Sequence, residues 1–274
     1  IPAEIIADHL KDNYEINFSS DLRGCKYFKE EKKNLFIIDT PKLNFNLFFP
    51  IKLLKIFFLI IKSVFFLKDK KIDKLISTGG YMSLPVCLGA KILGLKIYLL
   101  EPNLILGRAN KFYLKFSDKI ICYSNELINF PKRYNKKLNS IKPLVSKNFY
   151  NIEKRTSPNE KFCILIFGGS QGAKVFDELF KKAIVELSKK FSIKVIHQTS
   201  IENNENLKLF YDTNKIENEI FIFEKNFSNL INKADLCISR AGASSLAEIS
   251  IMNKPFLAIP LPNSKDDHQM ENAK

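Results

Sequence analysis

Short apolar strands alternate with helical segments along this chain in two blocks, and that alternation restricts the fold more than any other feature. In the first block "YEINFS" and "NLFIID" read as strands. "KLIST" then ends in Gly79-Gly80 before the helix "SLPVCLGAKILG", and "KIYLL", a helix near "GRANKFYLKF" and "KIICYS" follow. Between Asn125 and Glu160 the pattern gives way to a lysine-rich stretch with Pro131, Pro143 and Pro158, and an interdomain linker is expected in its latter half. Strands recur at Phe162–Phe167, Ile193–His197, Ile220–Phe223, Leu236–Ser239 and Pro255–Ile259, separated by helices. Alternation of this kind implies parallel sheet, because a parallel pair needs a crossover long enough to return over the sheet. The fold class expected is α/β: two Rossmann-like parallel-sheet domains, residues 1–145 and 146–274, whose strand carboxyl ends face a cleft. The chain opens on the helix "IPAEIIADHL" and stops within a helical pattern at "DDHQMENAK", so it reads as a fragment truncated at both ends.

The formal charge of +14, mostly lysine, brings three partner classes into competition: nucleic acid, an anionic membrane surface and anionic small substrates. An AT-rich coding bias accounts for the lysine excess equally well. No basic stripe with interleaved aromatics supports nucleic-acid binding. Five cysteines, none spaced as CxxC, sit mostly inside apolar runs and read as reduced core residues. The segment "FNLFFPIKLLKIFFLIIKSVFFLK", Phe45 to Lys68, is apolar enough to raise a membrane-spanning reading, but Pro50 splits it and Lys52, Lys55 and Lys62 interrupt the rest. At 100° per residue the lysines fall within an arc of about 80°. A helix carrying Leu53, Leu54, Phe57, Phe58, Ile61 and Phe65 on its other sides could lie in a membrane interface, or equally face a core as a crossover helix.

Two glycine-rich turns carry the chemistry. "FGGSQGA" follows the Phe162–Phe167 strand and precedes a helix. It matches neither GxxxxGK[ST] nor GxGxxG with an acid about 20 residues on, which disfavours a triphosphate loop and a dinucleotide site. Gly168, Gly169 and Gly172 allow backbone N–H groups to approach a ligand at a helix N-terminus, and Ser170 and Gln171 add side-chain hydrogen bonds; that suits a diphosphate held without lysine or metal. A tight turn without a ligand is the alternative. "CISRAGASSLAEIS" repeats the device, with Arg240 as a cation beside the turn Ala241–Ser245 and Glu248 able to accept both hydroxyls of a ribose, or else to close a capping box. His268 and Gln269 follow a proline-containing loop; Tyr81 follows a double glycine; Glu101 and Asn103 follow a strand end, within reach of sugar hydroxyls. No metal site is expected, since no Asp-x-Asp pair ends a strand and no His/Cys cluster occurs, and no cofactor is implied.

In this order, "GGYMSLP", "EPN…GRANK", "GGSQGA", "SRAGASSLAEI" and "KDDHQMENA" resemble the bacterial GT-B N-acetylglucosaminyltransferases that make lipid II, the MurG family. The resemblance spans nearly the whole chain. It implies inverting, metal-independent transfer of GlcNAc from UDP-GlcNAc to lipid I in peptidoglycan synthesis, by a peripheral enzyme docked on the anionic cytoplasmic face of the inner membrane through an apolar, basic-rimmed patch where Phe45–Lys68 falls. It also implies roles: Asn103 on the GlcNAc hydroxyls, Ser170 on the diphosphate, Ala243, Ser244 and Ser245 lining the donor pocket, Glu248 on the ribose diol, Gln269 on the sugar, Glu224 beside the uracil, Arg240 near the phosphates, and Tyr81 and Glu101 on the acceptor side. The family's first glycine loop, with a histidine as candidate base, is expected upstream of Ile1, and its final helix beyond the last residue. That leaves Glu101 as the candidate catalytic base in this chain. Pro102 stands where many members carry Gln, and Val145, Ser146 and Lys147 occupy the place of an expected arginine. Alternatives are another GT-B glycolipid glycosyltransferase, or a non-catalytic basic α/β protein that binds membranes.

Overall fold

A computed structural model describes residues 2–22, 24–27, 35–42, 47–168, 174–262 and 267–274. The chain divides into two compact units, Ile1–Leu144 and Val145–Lys274. The first contains α1 (Pro2–Leu10), β1 (Phe18–Ser20), β2 (Leu35–Ile37), α2 (Phe49–Asp69), β3 (Lys74–Ser77), α3 (Leu84–Ile92), β4 (Lys96–Glu101), α4 (Arg108–Tyr113), β5 (Lys119–Cys122) and β6 (Leu138–Ser140). Strands β3 to β6 form a parallel sheet in sequence order, and β1 and β2 form a separate parallel pair. Strand β6 has no counterpart in the apolar pattern, because "LNS" is paired through its backbone to β5 and buries little.

The second unit contains α5 (Asn148–Asn151), β7 (Phe162–Phe167), α6 (Lys174–Leu179), α7 (Lys181–Ser188), β8 (Ile193–Gln198), α8 (Asn204–Thr213), β9 (Glu217–Phe221), α9 (Phe227–Lys233), β10 (Leu236–Arg240), α10 (Ala243–Ile251), β11 (Phe256–Ile259) and α11 (His268–Ala273). All five strands are parallel, in the order β11-β10-β7-β8-β9. Side chains of a strand alternate between faces, so Cys163, Leu165 and Phe167 of β7 enter one core while Ile164 and Ile166 enter the other. Burial on both faces explains why β7 reads as one continuous apolar run. Strand β9 begins three residues before the expected Ile220, since Glu217 pairs in register with Lys194 and the two side chains form an ion pair at the edge.

The expected linker is not free chain. Val145 is fully buried and Phe149 nearly so, both in the second core. Beyond them Asn232 Nδ2 donates to Glu153 O (2.9 Å), Arg155 N–H donates to Asn232 Oδ1 (3.0 Å), and the Arg155 guanidinium pairs with Asp235. Asn159 Nδ2 adds a bond to Asp235 Oδ2 (2.7 Å). Four of the five cysteines are buried and none is paired; burial pushes the Cys87 and Cys163 thiols up to about 11 and Cys237 to about 12.

Pro50 does not split the apolar segment. It lies in the first turn of α2, where a missing N–H costs nothing. The helix buries a narrow stripe, Ile56, Ser63 and Leu67, against α3. The approach is close because Gly89 faces Ser63: a Cβ at Gly89 would lie 3.2 Å from the Ser63 Cβ and 3.3 Å from the Val64 nitrogen. Ser63 turns its hydroxyl back onto Leu59 O (2.7 Å), which satisfies it without a partner on α3. The other side of α2 is solvent-exposed and apolar: Leu53, Leu54, Phe57, Phe58, Ile61 and Phe65 are all exposed, Phe58 and Phe65 by about two thirds (66% and 69%). The core-facing reading therefore fails for those six residues. Replacing Gly89 with Val should destabilise the protein by about 1–3 kcal/mol, the usual cost of overpacking. Urea unfolding followed by circular dichroism measures it; an unchanged midpoint would mean that α2 and α3 are not pressed together.

Candidate functional site

In the second unit the strand order reverses direction between β7 and β10, and that is where a doubly wound sheet opens a crevice at its carboxyl edge. The carboxyl ends of β7 and β10, each leading in the sequence into a glycine-rich turn, flank this point. Ser170 and Gln171 lie outside the described residues. The loop's first residue is anchored: Gly168 N–H donates to Gln198 Oε1 (3.1 Å), and Gln198 Nε2 donates to Ile222 O (3.3 Å). Gln198 thus ties the ends of β7, β8 and β9 together, two residues from Glu224. The sequence reading missed it, although a glutamine closing an apolar strand at the same sheet edge was a usable signal. Glu224 itself accepts Asn226 N–H (2.7 Å) and shapes the turn into α9.

Helix α6 is held from below. Asp177, 2% exposed, accepts Thr199 Oγ1–H (2.8 Å) and Asn203 Nδ2–H (2.6 Å), and its other oxygen stands 3.6 Å from His197 Nε2. His197 is fully buried with its pKa lowered to about 3, first by burial and then by the Lys181 charge, so the ring is neutral. A neutral ring protonated at Nε2 accepts the Tyr211 hydroxyl at Nδ1 (2.8 Å) and turns its N–H toward Asp177.

Past β10, α10 starts at Gly242 without a side-chain cap, and its first backbone bond runs from Leu246 N–H to Gly242 O (3.0 Å). The amides of Ala243, Ser244 and Ser245 precede that bond and so have no intrahelical acceptor. Glu248 lies six residues after the cap, whereas a capping box needs the acid at the third; that alternative fails on geometry. Glu248 has no hydrogen bond or ion pair among the described residues, and burial alone raises its pKa to about 7. Arg240 is more enclosed than its phosphate role implies: 8% exposed, donating from Nη1 to Pro260 O (3.1 Å), with its guanidinium 4.6 Å above the Phe176 ring. Its charge stays at the carboxyl edge of the sheet, and its stacking ties α6 to the end of β11. Gln269 Oε1 accepts Leu261 N–H (2.9 Å), and Asn272 Nδ2 donates to Ala241 O (3.2 Å), which seats α11 against the β10–α10 turn.

The remaining predicted residues belong to the first unit. Tyr81 begins a short 3-10 turn after Gly79 and Gly80, whose φ values of +83° and +84° favour glycine. Glu101 is only 3% exposed. Its Oε1 receives Asn103 Nδ2–H (3.1 Å) and, at 3.4 Å, the Asn103 backbone N–H; its Oε2 receives Gly107 N–H (2.8 Å) and Asn110 Nδ2–H (3.0 Å). A carboxylate offers about four lone-pair sites, and all four are occupied. These four bonds hold the Glu101 carboxylate in place as a structural acceptor. Among the described residues no three His, Cys, Asp or Glu are grouped to hold a metal ion.

Residues 1–122 match the glycosyltransferase family 28 N-terminal domain and residues 163–274 the family 28 C-terminal domain. A Pelagibacter ubique protein named UDP-N-acetylglucosamine–N-acetylmuramyl-(pentapeptide) pyrophosphoryl-undecaprenol N-acetylglucosamine transferase is 48% identical over 274 residues, covering all of this chain and 77% of its own length. A Rickettsia canadensis protein of the same name is 35% identical over 279 residues, again across the whole chain and 78% of its own. The crystal structure of Acinetobacter baumannii MurG superposes with a TM-score of 0.76 at 24% identity, covering 99% of this chain and 77% of that one, which bears on the fold.

Partial burial raises the folded pKa of Glu248, which has no partner among the described residues, and so makes stability depend on pH. Its folded pKa of about 7 lies above its ordinary 4.5, so its contribution is fully present below pH 4.5 and is lost as pH rises through 7. Relative to Glu248→Gln, the unliganded protein should lose about 1–3 kcal/mol between pH 4.5 and 8. Parallel urea titrations of the two proteins at several pH values check this; parallel curves would place Glu248 in water.

Proposed function

The chain belongs to glycosyltransferase family 28, within its MurG branch, and on that premise we propose that it transfers N-acetylglucosamine from UDP-GlcNAc to lipid I, undecaprenyl-pyrophosphoryl-MurNAc-pentapeptide, to form lipid II for peptidoglycan. The observation that carries this reading at the level of residues is Glu248. A half-buried carboxylate without a partner among the described residues, one and a half turns into a helix whose first amides are uncapped, suits a ligand that brings two hydroxyls and an anion together, as a ribosyl diphosphate does. Ser170 and the amides of residues 243–245 would take the diphosphate, Glu248 the ribose diol, and the turn at Glu224 the uracil.

The reaction on this reading is an in-line displacement at the anomeric carbon, with inversion. The bond from that carbon to the UDP oxygen breaks as the acceptor oxygen bonds, and the acceptor's proton passes to a positioned base. Negative charge grows on UDP. Two helix N-termini and the Arg240 cation, all at the carboxyl edge of one sheet, are arranged to stabilise it without a divalent ion. Asn103 and Gln269 would contact the sugar, and Tyr81 the acceptor.

The lipid acceptor calls for a membrane surface, and α2 supplies a matching face. Among the described residues no helix is long and apolar enough to cross a membrane. Six exposed apolar side chains with Lys52, Lys55 and Lys62 alongside suit shallow insertion, with lysines among anionic headgroups of the cytoplasmic leaflet.

Two measurements test the proposal. Calorimetric titration should give UDP-GlcNAc binding that persists in EDTA, exceeds UDP-glucose binding, and weakens roughly 10–100-fold in Glu248→Ala through loss of two charge-assisted hydrogen bonds. Equal affinity for both sugars, or none lost in the variant, would refute the donor site. In co-sedimentation with vesicles containing anionic lipid, Phe57→Ser/Phe58→Ser should cut partitioning roughly tenfold or more. Unchanged partitioning would remove α2 from the interface.

A further inference from the structure

We propose that Glu101 is a positioning residue, whose buried carboxylate folds the loop from Pro102 to Asn110 into one conformation and thereby orients the Asn103 side chain toward the sugar. The idea rests on the reading of Asn103 as a sugar contact. A carboxylate that is 3% exposed is costly unless hydrogen bonds replace its hydration. All four donors come from the segment that Glu101 opens: Asn103 twice and Gly107 from the loop, and Asn110 from the first turn of α4. Any other loop path would strand the charge without donors, so the loop is locked by the very group it encloses.

Two further details fit this role. Gly107 is required for space rather than for backbone freedom: its φ is −62°, ordinary for any residue, but a Cβ there would lie 3.0 Å from Glu101 Oε2. Asn110, 3% exposed, spans the loop by donating through Nδ2 to both Leu100 O (3.0 Å) and Glu101 Oε2. The same amide group backs the Gly79 turn, where a Cβ would sit 3.4 Å from its nitrogen and its oxygen. One carboxylate therefore organises both the Asn103 loop and, through Asn110, the turn that leads to Tyr81.

The test compares wild type, Glu101→Gln, Asn103→Ala and the double variant, in transfer assays with varied UDP-GlcNAc across pH, alongside amide hydrogen exchange at Gly107. Asn103→Ala should raise the KM for UDP-GlcNAc. Glu101→Gln, which turns an amide toward two donors, should reproduce that rise, and the double variant should be no worse than the poorer single variant. The pH profile of kcat/KM should keep its acid limb in Glu101→Gln, and Gly107 exchange should quicken at least tenfold in Glu101→Gln but not in Asn103→Ala. Loss of the acid limb would make Glu101 the base, and multiplying effects would make the two residues independent; either result overturns the proposal, as does unchanged Gly107 exchange. Normal network exchange in a wild-type protein that transfers no GlcNAc would instead defeat the functional reading, and normal kinetics in Asn103→Ala would defeat the sugar contact. If Glu101→Gln does not fold, Gly107→Ala, which crowds Oε2 and leaves the carboxylate ionisable, should raise the same KM, and an unchanged KM there overturns the proposal.

Discussion

Parallel pairing of β7 with β10 is the constraint on which the donor half depends. In a parallel sheet every strand ends at the same edge, so every strand-to-helix turn opens there, and only at the reversal of strand order do two turns diverge to leave room. That gap lies between the carboxyl ends of β7 and β10 as a consequence of the order β11-β10-β7-β8-β9. The pairing is in turn sustained by burial on both faces, with β7 contributing alternate residues to two cores. Polar pins then set the details: Gln198 across three strand ends, Asp177 under α6, and Arg240 stacked on Phe176.

The first unit solves a different problem. It exposes an apolar helix face while burying a charge. Helix α2 can present phenylalanines outward because its inner stripe is narrow and small, Ser63 against Gly89, and needs little contact width to dock on α3. Glu101 goes the other way, withdrawn from solvent and fully hydrogen-bonded by its own loop. A buried carboxylate with four donors is held as firmly as an ion pair without importing a cation, and it leaves the neighbouring asparagine at a defined place.

Much of the architecture was legible because periodicity and burial are local properties of a strand. Buried parallel strands such as β7, β4 and β10 announced themselves as apolar runs bounded by glycine. Strand β6 did not, because its stability comes from backbone pairing to β5 and not from its side chains. The start of β9 was displaced for a related reason, since its first residues are polar and gain their place through cross-strand ion pairing with Lys194. The stretch after Leu144 read as linker because it is polar and proline-containing, yet a few groups, Val145, Phe149 and Arg155, fasten it to the second unit.

By itself the sequence determined the fold class, the two glycine-rich turns at strand ends, the family, and an amphipathic segment with lysines on one edge. These depend on residue type and spacing along the chain, and both are visible without coordinates. Tertiary structure alone decided which way groups face: that α2 turns its phenylalanines outward, that Glu248 is half-buried without a partner among the described residues, and that Glu101 is spent on its own loop. The physical reason is that the ionisation and hydrogen bonding of a carboxylate are set by donors and dielectric in three dimensions. Glu101 and Glu248 are the same residue type, one closing a strand before its loop and the other following a small-residue turn, and only the fold makes one a filled acceptor and leaves the other without a partner among the described residues.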